Sequence, residues 1–447
     1  MIDFANKKFG LISLGCDKNR VDAEKLLAII QKAGGKFTND PSSAQVLIVN
    51  TCAFLNDARA EAIETILDFA EYKNQGLEKL VVTGCLPEKY VADVFDGLPE
   101  VDLFLGIADY DNFLTLLDDC YKNSERVNGV HSCQAPLMRT ERVIPTPYHY
   151  AYLKIADGCN NHCTYCLIPK IRGKYKSYTI ESLVEEAKNL GDVKELILVA
   201  QDVTRYGIDL YGQKNLVKLL QNLTALVNIS SVRLLYCYPD AIDDELIAEI
   251  KSNDKIIKYL DIPLQHSEDR ILKLMNRRGS RQEYLDLFNK LRREIPQIAI
   301  RSTFITGFPS ETEEEHLANC RFLEEAKLVN CGFFAYSKEE DTPSYKLKGH
   351  LPKRIKEKRV KKLYSVQSAI SREYLSSYVG KTIDVVCDGI DYERECFVGR
   401  AYFNAPDIDG KVYFNSPFAE QGETVKVLIL SCDDYDLYGK TEDYDVE

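Results

Sequence analysis

Residues 152–166 read YLKIADGCNNHCTYC, an apolar strand followed at once by a loop that carries three cysteines. The CxxxCxxC spacing of Cys159, Cys163 and Cys166 can supply three thiolates to a 4Fe–4S cluster and leave its fourth iron open. S-adenosylmethionine can chelate such an iron, and one-electron reduction then breaks its S–C bond to give a 5′-deoxyadenosyl radical. The alternative is zinc, because His162 would complete a Cys3His set. A zinc finger usually draws its ligands from two loops, however, and this is one tight loop.

The sequence around this loop alternates between strands and helices. From about residue 150 to 345, amphipathic helical segments separate six strand-like runs: YLKIAD, ELILVAQD, SVRLLYCYP, YLDIPLQ, AIRSTFITG and NCGFFAYS. This alternation predicts an α/β fold with parallel strands. Six such strands predict a partial (β/α)6 barrel, open on one side, with its chemistry at the C-terminal ends of the strands.

A second group of cysteines lies in the first 120 residues. Cys16, Cys52 and Cys85 follow the apolar strands FGLISLG, VLIVNT and LVVTG, at intervals of 36 and 33 residues that match one strand–helix unit. The loops at the carboxyl ends of strands in an open parallel sheet converge on one crevice. We therefore expect the three cysteines to share a site, the alternative being three unrelated buried cysteines.

The remaining segments have different compositions. Residues 121–148 are polar and aperiodic and predict a connector, whereas 346–375 predict a basic helical connector. Residues 376–447 contain short strands separated by turns, which predict a small antiparallel barrel. This last segment has 16 Asp and Glu against 6 Lys and Arg, and it ends in an acidic tail. The predicted domains are therefore 1–120, 149–345 and 376–447.

Composition indicates where the protein works and how its cysteines are used. The 447 residues are 45% hydrophobic and 28% charged, without an apolar run long enough to span a membrane or an N-terminal secretory signal. These features predict a cytoplasmic protein with no membrane partner. Disulfides are rare in a reducing compartment, so spaced groups among the 14 cysteines indicate metal sites.

The cysteine loop and the six-strand series together resemble the radical S-adenosylmethionine superfamily. Tyr165, an aromatic residue just before the last cysteine, fits the same pattern. The resemblance implies that LVAQD (198–202), DIPLQ (261–265) and FITGFPSE (304–311) help to hold S-adenosylmethionine. We take Tyr165, Gln201 and Gln265 as candidate cofactor-binding residues, although both glutamines could equally cap or pack.

Over nearly its whole length the chain is similar to the methylthiotransferases of that superfamily. The matching stretches are SLGCDKNRVDAE, NTCAF, VVTGC and DGCNNHCTYCLIPKIRGKYKS. The family ends in a small barrel called TRAM, and its three N-terminal cysteines bind an auxiliary 4Fe–4S cluster with an open iron that is thought to hold the transferred sulfur. The resemblance thus implies two 4Fe–4S clusters, with Cys16, Cys52 and Cys85 as ligands of the auxiliary one. The catalytic side chains stay unassigned.

The family has two branches, which modify either an aspartate of small-subunit ribosomal protein twelve or an adenosine of transfer RNA. SLGCDKNRVDAE, DIPLQH and FAYSKEEDTPS resemble the ribosomal-protein branch, because the RNA branch typically has Gln-Met-Asn in place of Asp17-Lys18-Asn19. Asp341 departs from the pattern, which usually has Gly in EEGTP. The resemblance implies that a methylthio group is inserted at the β-carbon of the aspartate.

The charge of the C-terminal barrel bears on the same choice. Its excess of acidic residues should repel RNA and attract a basic ribosomal protein, free or on the ribosome, so direct RNA binding by this barrel is not expected. A reductant protein such as flavodoxin or ferredoxin is also expected. Two alternatives remain open, namely methylthiolation of a transfer-RNA adenosine and a non-catalytic zinc-binding interaction protein.

Overall fold

The computed structural model describes residues 4–5, 7–53, 55–123, 125–131, 141–144 and 149–444. Much of the predicted connector 121–148 lies outside these residues, as does the end of the acidic tail. The domain boundaries given above remain predictions. None of the helices in the described ranges combines the length and the apolar character needed to cross a membrane.

The N-terminal part is an open sheet of six parallel strands flanked by helices, in the strand order β2-β1-β3-β4-β5-β6. The open parallel sheet is as predicted, and the three strands that precede cysteines, β1, β3 and β4, are adjacent in it. The elements are β1 (Lys8–Ser13), α1 (Asp17–Lys32), β2 (Lys36–Phe37), β3 (Val46–Thr51), α2 (Asn56–Ala70), β4 (Lys79–Gly84), α3 (Cys85–Gly97), β5 (Leu103–Leu105), α4 (Phe113–Asn123) and β6 (Val127–Gly129).

The central part is the predicted partial barrel, called the half-barrel below, with six parallel strands in the order β14-β13-β12-β11-β10-β7. Its strands are β7 (Tyr150–Lys154), β10 (Val193–Val199), β11 (Ile229–Leu234), β12 (Ile256–Asp261), β13 (Ala299–Thr306) and β14 (Asn330–Ala335), with a small antiparallel pair β8 (Ala156–Asp157) and β9 (Lys176–Ser177). Its helices are α5 (Ile168–Ile171), α6 (Ile180–Lys188), α7 (Ile208–Tyr211), α8 (Leu216–Thr224), α9 (Asp244–Ser252), α10 (Asp269–Leu274), α11 (Arg281–Glu294), α12 (Glu313–Ala326) and α13 (Lys353–Ser376).

Alternate residues of the half-barrel strands enter two different cores. Leu196 and Leu198 pack with the surrounding helices, whereas Ile197 and Val199 face a second core that includes Val385 of the C-terminal barrel. Because successive side chains of a strand point to opposite faces, a single sheet serves both cores. The C-terminal barrel therefore packs on the sheet face opposite to the helices.

The C-terminal part is a closed five-stranded barrel in the order β15-β16-β17-β19-β18. Its strands are β15 (Thr382–Asp391), β16 (Cys396–Arg400), β17 (Val412–Asn415), β18 (Thr424–Cys432) and β19 (Leu437–Thr441). The barrel differs in one respect from the predicted antiparallel one, because β17 and β19 pair in parallel to close it. The basic helix α13 leads into this barrel from the half-barrel.

Candidate active site

The loop with Cys159, Cys163 and Cys166 leaves the half-barrel beside β8 and is fixed by backbone hydrogen bonds. Cys159 N–H donates to the carbonyl of Gly173 (3.2 Å), and Cys166 N–H donates to the carbonyl of Cys163 (3.0 Å). A third bond runs from Thr164 N–H to Met275 O (3.0 Å). The loop is therefore held to Gly173 and Met275 and closed by one internal bond, and its three thiols follow the first half-barrel strand.

Donors surround the three sulfur atoms. Cys163 Sγ lies 3.0 Å from Tyr238 Oη and 4.0 Å from Arg277 Nη1. Backbone N–H groups two residues further along donate to Cys159 Sγ (3.5 Å) and Cys166 Sγ (3.4 Å).

The thiol pKa values reflect this environment. Burial raises the pKa of Cys159 to about 11, while the N–H of Asn161 acts in the opposite direction. Burial likewise raises the pKa of Cys166, against the backbone N–H of Ile168 and the charge of Arg277. Thiols that burial keeps protonated, beside donors that stabilise a thiolate, fit a site that releases protons when a positively charged iron centre binds.

The N-terminal cysteines also meet at one edge of their sheet. Cys16 immediately precedes α1, Cys52 follows β3, and Cys85 is the first residue of α3. Gly15 has φ +103°, and a Cβ there would lie 2.8 Å from Cys52 Cβ, so glycine is required for the first two cysteine loops to approach. Burial raises the pKa of Cys85 to about 12; the Arg172 charge lowers it, and Cys16 and Cys52 raise it further.

Within the described ranges, no three His, Cys, Asp or Glu side chains gather closely enough to ligate one metal ion. A cubane cluster has a different requirement, because its cysteine ligands are distributed over several irons. The three-thiolate donor sets at both places fit clusters of this kind. The ligand roles of the six cysteines remain a prediction.

Arg172, just after α5, links the N-terminal cysteine group to the segment that leads into the cysteine loop of the half-barrel. Its guanidinium donates to Asp22 Oδ2 (2.7 Å) and Asp157 Oδ2 (3.0 Å), to the side-chain oxygen of Asn19, and lies 3.9 Å from Cys85 Sγ. Asp22 belongs to α1, whereas Asp157 comes two residues before Cys159. One buried side chain thus contacts Cys85 of the N-terminal group and Asp157, which precedes the cysteine loop of the half-barrel.

Lys154 completes this buried charge group. Its ammonium pairs with Asp22 and with Asp157 Oδ2 (2.7 Å), so two cations face two carboxylates. Arg172 and Lys154 lower the pKa of Asp157 well below its usual range although burial opposes them. The N-terminal sheet and the half-barrel are consequently held together by ion pairs that lie beside Cys85 and just before the cysteine loop of the half-barrel.

A second contact lies on the other side of Cys16. Lys18 Nζ lies 2.9 Å from Asp17 Oδ1 and 3.4 Å from the ring centre of Tyr236, a residue at the C-terminal end of β11. Tyr236 Oη donates to Asp17 Oδ1 (3.3 Å). Asp17 and Lys18, which distinguish the two branches in sequence, therefore contact the half-barrel just beyond β11.

The three candidate cofactor residues occupy different environments. Gln201, just beyond β10, donates to Asp157 Oδ1 (3.4 Å), and its buried carbonyl oxygen has no hydrogen-bond partner among the described residues. Gln265 has φ +74°, and its backbone bonds to Thr303 and Ile305, so it extends the pairing of the half-barrel beyond β12. Tyr165 packs against the buried cluster of Ile271, Met275, Phe308 and Tyr336.

These positions bear on the proposed roles. Gln201 lies at the cysteine loop with an unused acceptor, which suits a cofactor contact. Gln265 bonds through its backbone and Tyr165 packs in a buried cluster, and among the described residues no hydrogen bond joins any two of the three. Within FITGFPSE, Glu311 accepts from the N–H groups of Gly307 and Phe308 and from Arg359. That carboxylate fixes its own loop.

Sequence reasoning missed several residues around the thiols. Arg172 lies inside the quoted motif, in IRGKYKS, so its position after the cysteine loop was a usable signal. Tyr238 and Arg277 follow β11 and α10, and nothing in the sequence around them indicated that they would reach Cys163. Their roles depend on tertiary contacts.

Comparison with known proteins agrees with this architecture. Residues 153–323 match the model of the radical SAM superfamily, 8–106 that of uncharacterized protein family UPF0004, and 379–441 that of the TRAM domain. The cobalamin-binding radical S-adenosylmethionine methyltransferase TsrM from Kitasatospora setae shares the fold, with a TM-score of 0.53, 12% identity and coverage of 76% of this chain and 77% of that one. The enzyme OxsB gives a TM-score of 0.51 at 11% identity, covering 81% and 56%.

Sequence relatives are much closer. The ribosomal protein uS12 methylthiotransferase RimO of Lachnoclostridium phytofermentans is 46% identical over 439 residues, which cover 97% of this chain and 100% of that protein. RimO of Clostridium botulinum strain Eklund 17B is 46% identical over 441 residues, covering 98% of both. At this identity and coverage, the chain belongs to the RimO family of ribosomal protein uS12 methylthiotransferases, within the radical SAM superfamily.

Proposed function

We propose that this enzyme transfers a methylthio group to the β-carbon of an aspartate of ribosomal protein uS12. The observation that carries the proposal is the position of Arg172, which contacts Cys85 of the N-terminal cysteine group and pairs with Asp157, two residues before Cys159 of the other group. When bound, two 4Fe–4S clusters and S-adenosylmethionine would supply the radical that activates the C–H bond and the sulfur that replaces hydrogen.

We assign Cys159, Cys163 and Cys166 to the cluster that binds S-adenosylmethionine, and Cys16, Cys52 and Cys85 to the auxiliary cluster. Tyr238 and Arg277 place a hydroxyl and a guanidinium at 3.0 Å and 4.0 Å from Cys163 Sγ, and the charge of Arg172 lowers the pKa of Cys85 against the effect of burial. Positive charge beside a thiolate cluster offsets the cost of burying its negative charge.

We assign Gln201 as a residue that positions S-adenosylmethionine, because a buried amide oxygen without a partner costs free energy until a donor reaches it. A cofactor amino group is a donor of the required kind. Gln265 supports the site through its backbone bonds beside β13. Tyr165 supports it through the packing of the cysteine loop.

The substrate protein is basic, and the acidic C-terminal barrel favours its approach. The electron needed at the half-barrel cluster would come from a small redox protein of the flavodoxin or ferredoxin class. No observation favours a transfer-RNA substrate or a non-catalytic zinc protein, the two alternatives left open by the sequence. Relatives that match nearly the full chain carry the uS12 name. A transfer-RNA substrate and a non-catalytic zinc protein are therefore not proposed.

Single substitutions separate the two cysteine groups. Anaerobically reconstituted protein should contain about eight irons, and Cys52→Ala or Cys163→Ala should reduce this to about four, because each removes one thiolate from a three-thiolate site. Reduced Cys52→Ala enzyme should still release 5′-deoxyadenosine from S-adenosylmethionine without modifying uS12, whereas Cys163→Ala should do neither.

Cys432→Ala, in the C-terminal barrel, is the matched control and should retain full iron content and activity. Products are measured by mass spectrometry of purified uS12 and of transfer RNA offered in parallel. Modification of transfer RNA alone would contradict the proposed substrate. Methylthiolated uS12 from folded Cys52→Ala enzyme without its auxiliary cluster would contradict the assignment of the N-terminal cysteines.

A further inference from the structure

A strongly basic segment interrupts this acidic protein. Residues 346–362 contain nine Lys and Arg but a single acidic residue, Glu357, in a chain whose formal net charge is −12. Like charges concentrated in this way repel each other and are destabilising unless something compensates them. The pKa of Lys356 is lowered by its burial and further by the neighbouring charge of Lys353.

Most of these cations are not used inside the protein. Lys356 donates to the carbonyl of Tyr336 (2.6 Å), and Arg359 pairs with Glu311 (3.0 Å). The other seven are exposed: Lys346, Lys348, Lys353, Arg354, Lys358, Lys361 and Lys362. Among the described residues, Lys353 alone of the seven has a carboxylate within 4 Å, that of Glu357 at 3.8 Å.

Four of the free cations share one side of α13. Positions 354, 358, 361 and 362 lie within an arc of about 100° at 3.6 residues per turn, and they span about 12 Å of the helix. Arg359 and Leu363 are buried on the opposite side, so the four side chains form a continuous basic face toward solvent. We call these four residues the α13 basic face.

This face begins at the rim of the active-site crevice. The segment before α13 touches the cysteine loop, where Ser344 N–H donates to Thr164 O (2.9 Å). Lys356, in the first turns of α13, donates to Tyr336 just beyond β14 and lies against Gly307 just beyond β13. The basic face thus starts beside the strand ends where the substrate must enter.

We propose that the α13 basic face binds the phosphate backbone of RNA, so that the enzyme engages its target on an RNA-containing particle. The inference rests on the proposed function, in that a ribosomal protein is the substrate and RNA is its natural neighbour. Unpaired Lys and Arg at an accessible rim suit phosphates, and the acidic C-terminal barrel would keep RNA away from other parts of the surface.

The test compares two variants of the full-length enzyme with equal changes of charge. One replaces Arg354, Lys358, Lys361 and Lys362 with Gln; the control replaces Lys188, Lys194, Lys218 and Arg293, which are exposed at other places on the half-barrel, with Gln. All eight positions are exposed positions on helices or on a strand, so both variants should fold. Binding to a mixed-sequence RNA oligonucleotide and to purified small ribosomal subunits is measured at several salt concentrations.

The basic-face variant should bind both RNA probes on the order of tenfold or more weakly, and its salt slope should fall by about 3, at about 0.7 per lost phosphate contact on single strands. Its modification of small subunits should slow, while its modification of isolated uS12 should equal that of the wild type. The control variant should behave as wild type throughout.

RNA binding by the basic-face variant that equals wild-type binding would overturn the proposal. Polyglutamate serves as a mimic of an acidic protein. If the basic-face variant loses binding to polyglutamate while its RNA binding is unchanged, the proposal is overturned as well, since the face would then fit an acidic protein. Failure of the wild type to modify uS12 in either form would instead contradict the proposed function, and the RNA-binding measurement would remain a separate result.

Discussion

At the scale of single residues, Arg172 makes more polar contacts than one acceptor would need. Its guanidinium reaches two carboxylates, an amide oxygen and the sulfur of Cys85, and it is buried. Lysine could supply the charge but not the planar fork of donors that contacts several acceptors at once. We therefore expect Arg172 to determine both the docking of the two sheets and the state of Cys85.

Arg172→Met should destabilise the protein by about 3 kcal/mol, because the buried Asp22 and the half-buried Asp157 would then have only Lys154 as a counter-charge. It should also lower the auxiliary iron content, because the positive charge that opposes the raised pKa of Cys85 is lost. Urea unfolding and iron analysis of the reconstituted protein measure both effects.

Arg172→Lys should recover part of the stability, and Lys174→Met, two residues away on the surface, should change neither quantity. If Arg172→Met unfolds at the same urea concentration as the wild type and holds the same amount of iron, the ion pairs contribute little.

The residues of this site differ in how far the sequence revealed them. The six cysteines could be found because a repeated chemical type follows a repeated strand pattern, and parallel strands bring their ends together. Arg172 could be located by the motif but not interpreted, since Asn19 and Asp22 are about 150 positions earlier in the chain. Nothing in the sequence indicated that Tyr238 and Arg277 belong to the site. Tyrosine and arginine are common residue types, and their contact with Cys163 is visible only in the folded structure.

At the scale of elements, strand β10 connects the half-barrel to the C-terminal barrel. Glu195, buried in the middle of the interface, pairs with Arg233 of β11 and with Arg400 of β16 (2.7 Å). Arg400 pairs in addition with Asp388 of β15 (2.9 Å). Against the effect of burial, Arg233 and Arg400 lower the pKa of Glu195 from 4.5 to about 2.

This shift predicts how stability depends on pH. Because the folded-state pKa lies below that of the unfolded chain, the contribution is fully present above about pH 4.5 and is lost as the pH falls toward 2. At about 1.4 kcal/mol per pH unit, Glu195→Gln should cost about 3 kcal/mol at pH 7 and almost nothing near pH 2. Thermal unfolding of both proteins across this range provides the measurement.

Glu185→Gln, at an exposed site on α6, should leave the pH profile unchanged. If Glu195→Gln and the wild type lose stability in parallel between pH 4.5 and 2, the interface does not depend on the charge of Glu195.

Secondary structure was more predictable than the way elements meet. The six half-barrel strands were expected because each is a run of apolar or β-branched residues between turns. The same pattern predicts C-terminal strands in TIDVVCDGI, ECFVGRAYF, GKVYFN and TVKVLIL. Strand β19, whose sequence LYGKT is short and contains glycine, was not expected, and neither was its parallel pairing with β17. Such pairing depends on barrel closure, which local propensity does not encode.

At the scale of the whole molecule, charge is separated between two regions. The α13 basic face lies at the crevice rim, whereas the C-terminal segment 376–447 has ten more acidic than basic residues. Part of that acidity has a structural use, because Asp388 pairs with His149 and Arg400, and Asp409 with Arg301. Only the acidic residues without such a partner can attract a basic protein.

The free acidic residues of the barrel should accelerate capture of basic uS12. Glu393, Glu395, Glu420 and Glu442 are exposed, and reversing all four to Lys should slow association on the order of tenfold at low salt with little effect on dissociation. Rapid-mixing kinetics with the purified ribosomal protein at two ionic strengths measure this effect, which should shrink as salt screens the charges.

The control reverses Glu185, Asp192, Glu245 and Asp254, which are exposed on the half-barrel. It changes the net charge by the same amount, so it separates the field of the barrel from that of the whole molecule. Equal slowing in both variants would mean that overall charge alone steers the substrate. Unchanged association in both would mean that uS12 is met through contacts other than charge, and that the acidic surface serves solubility.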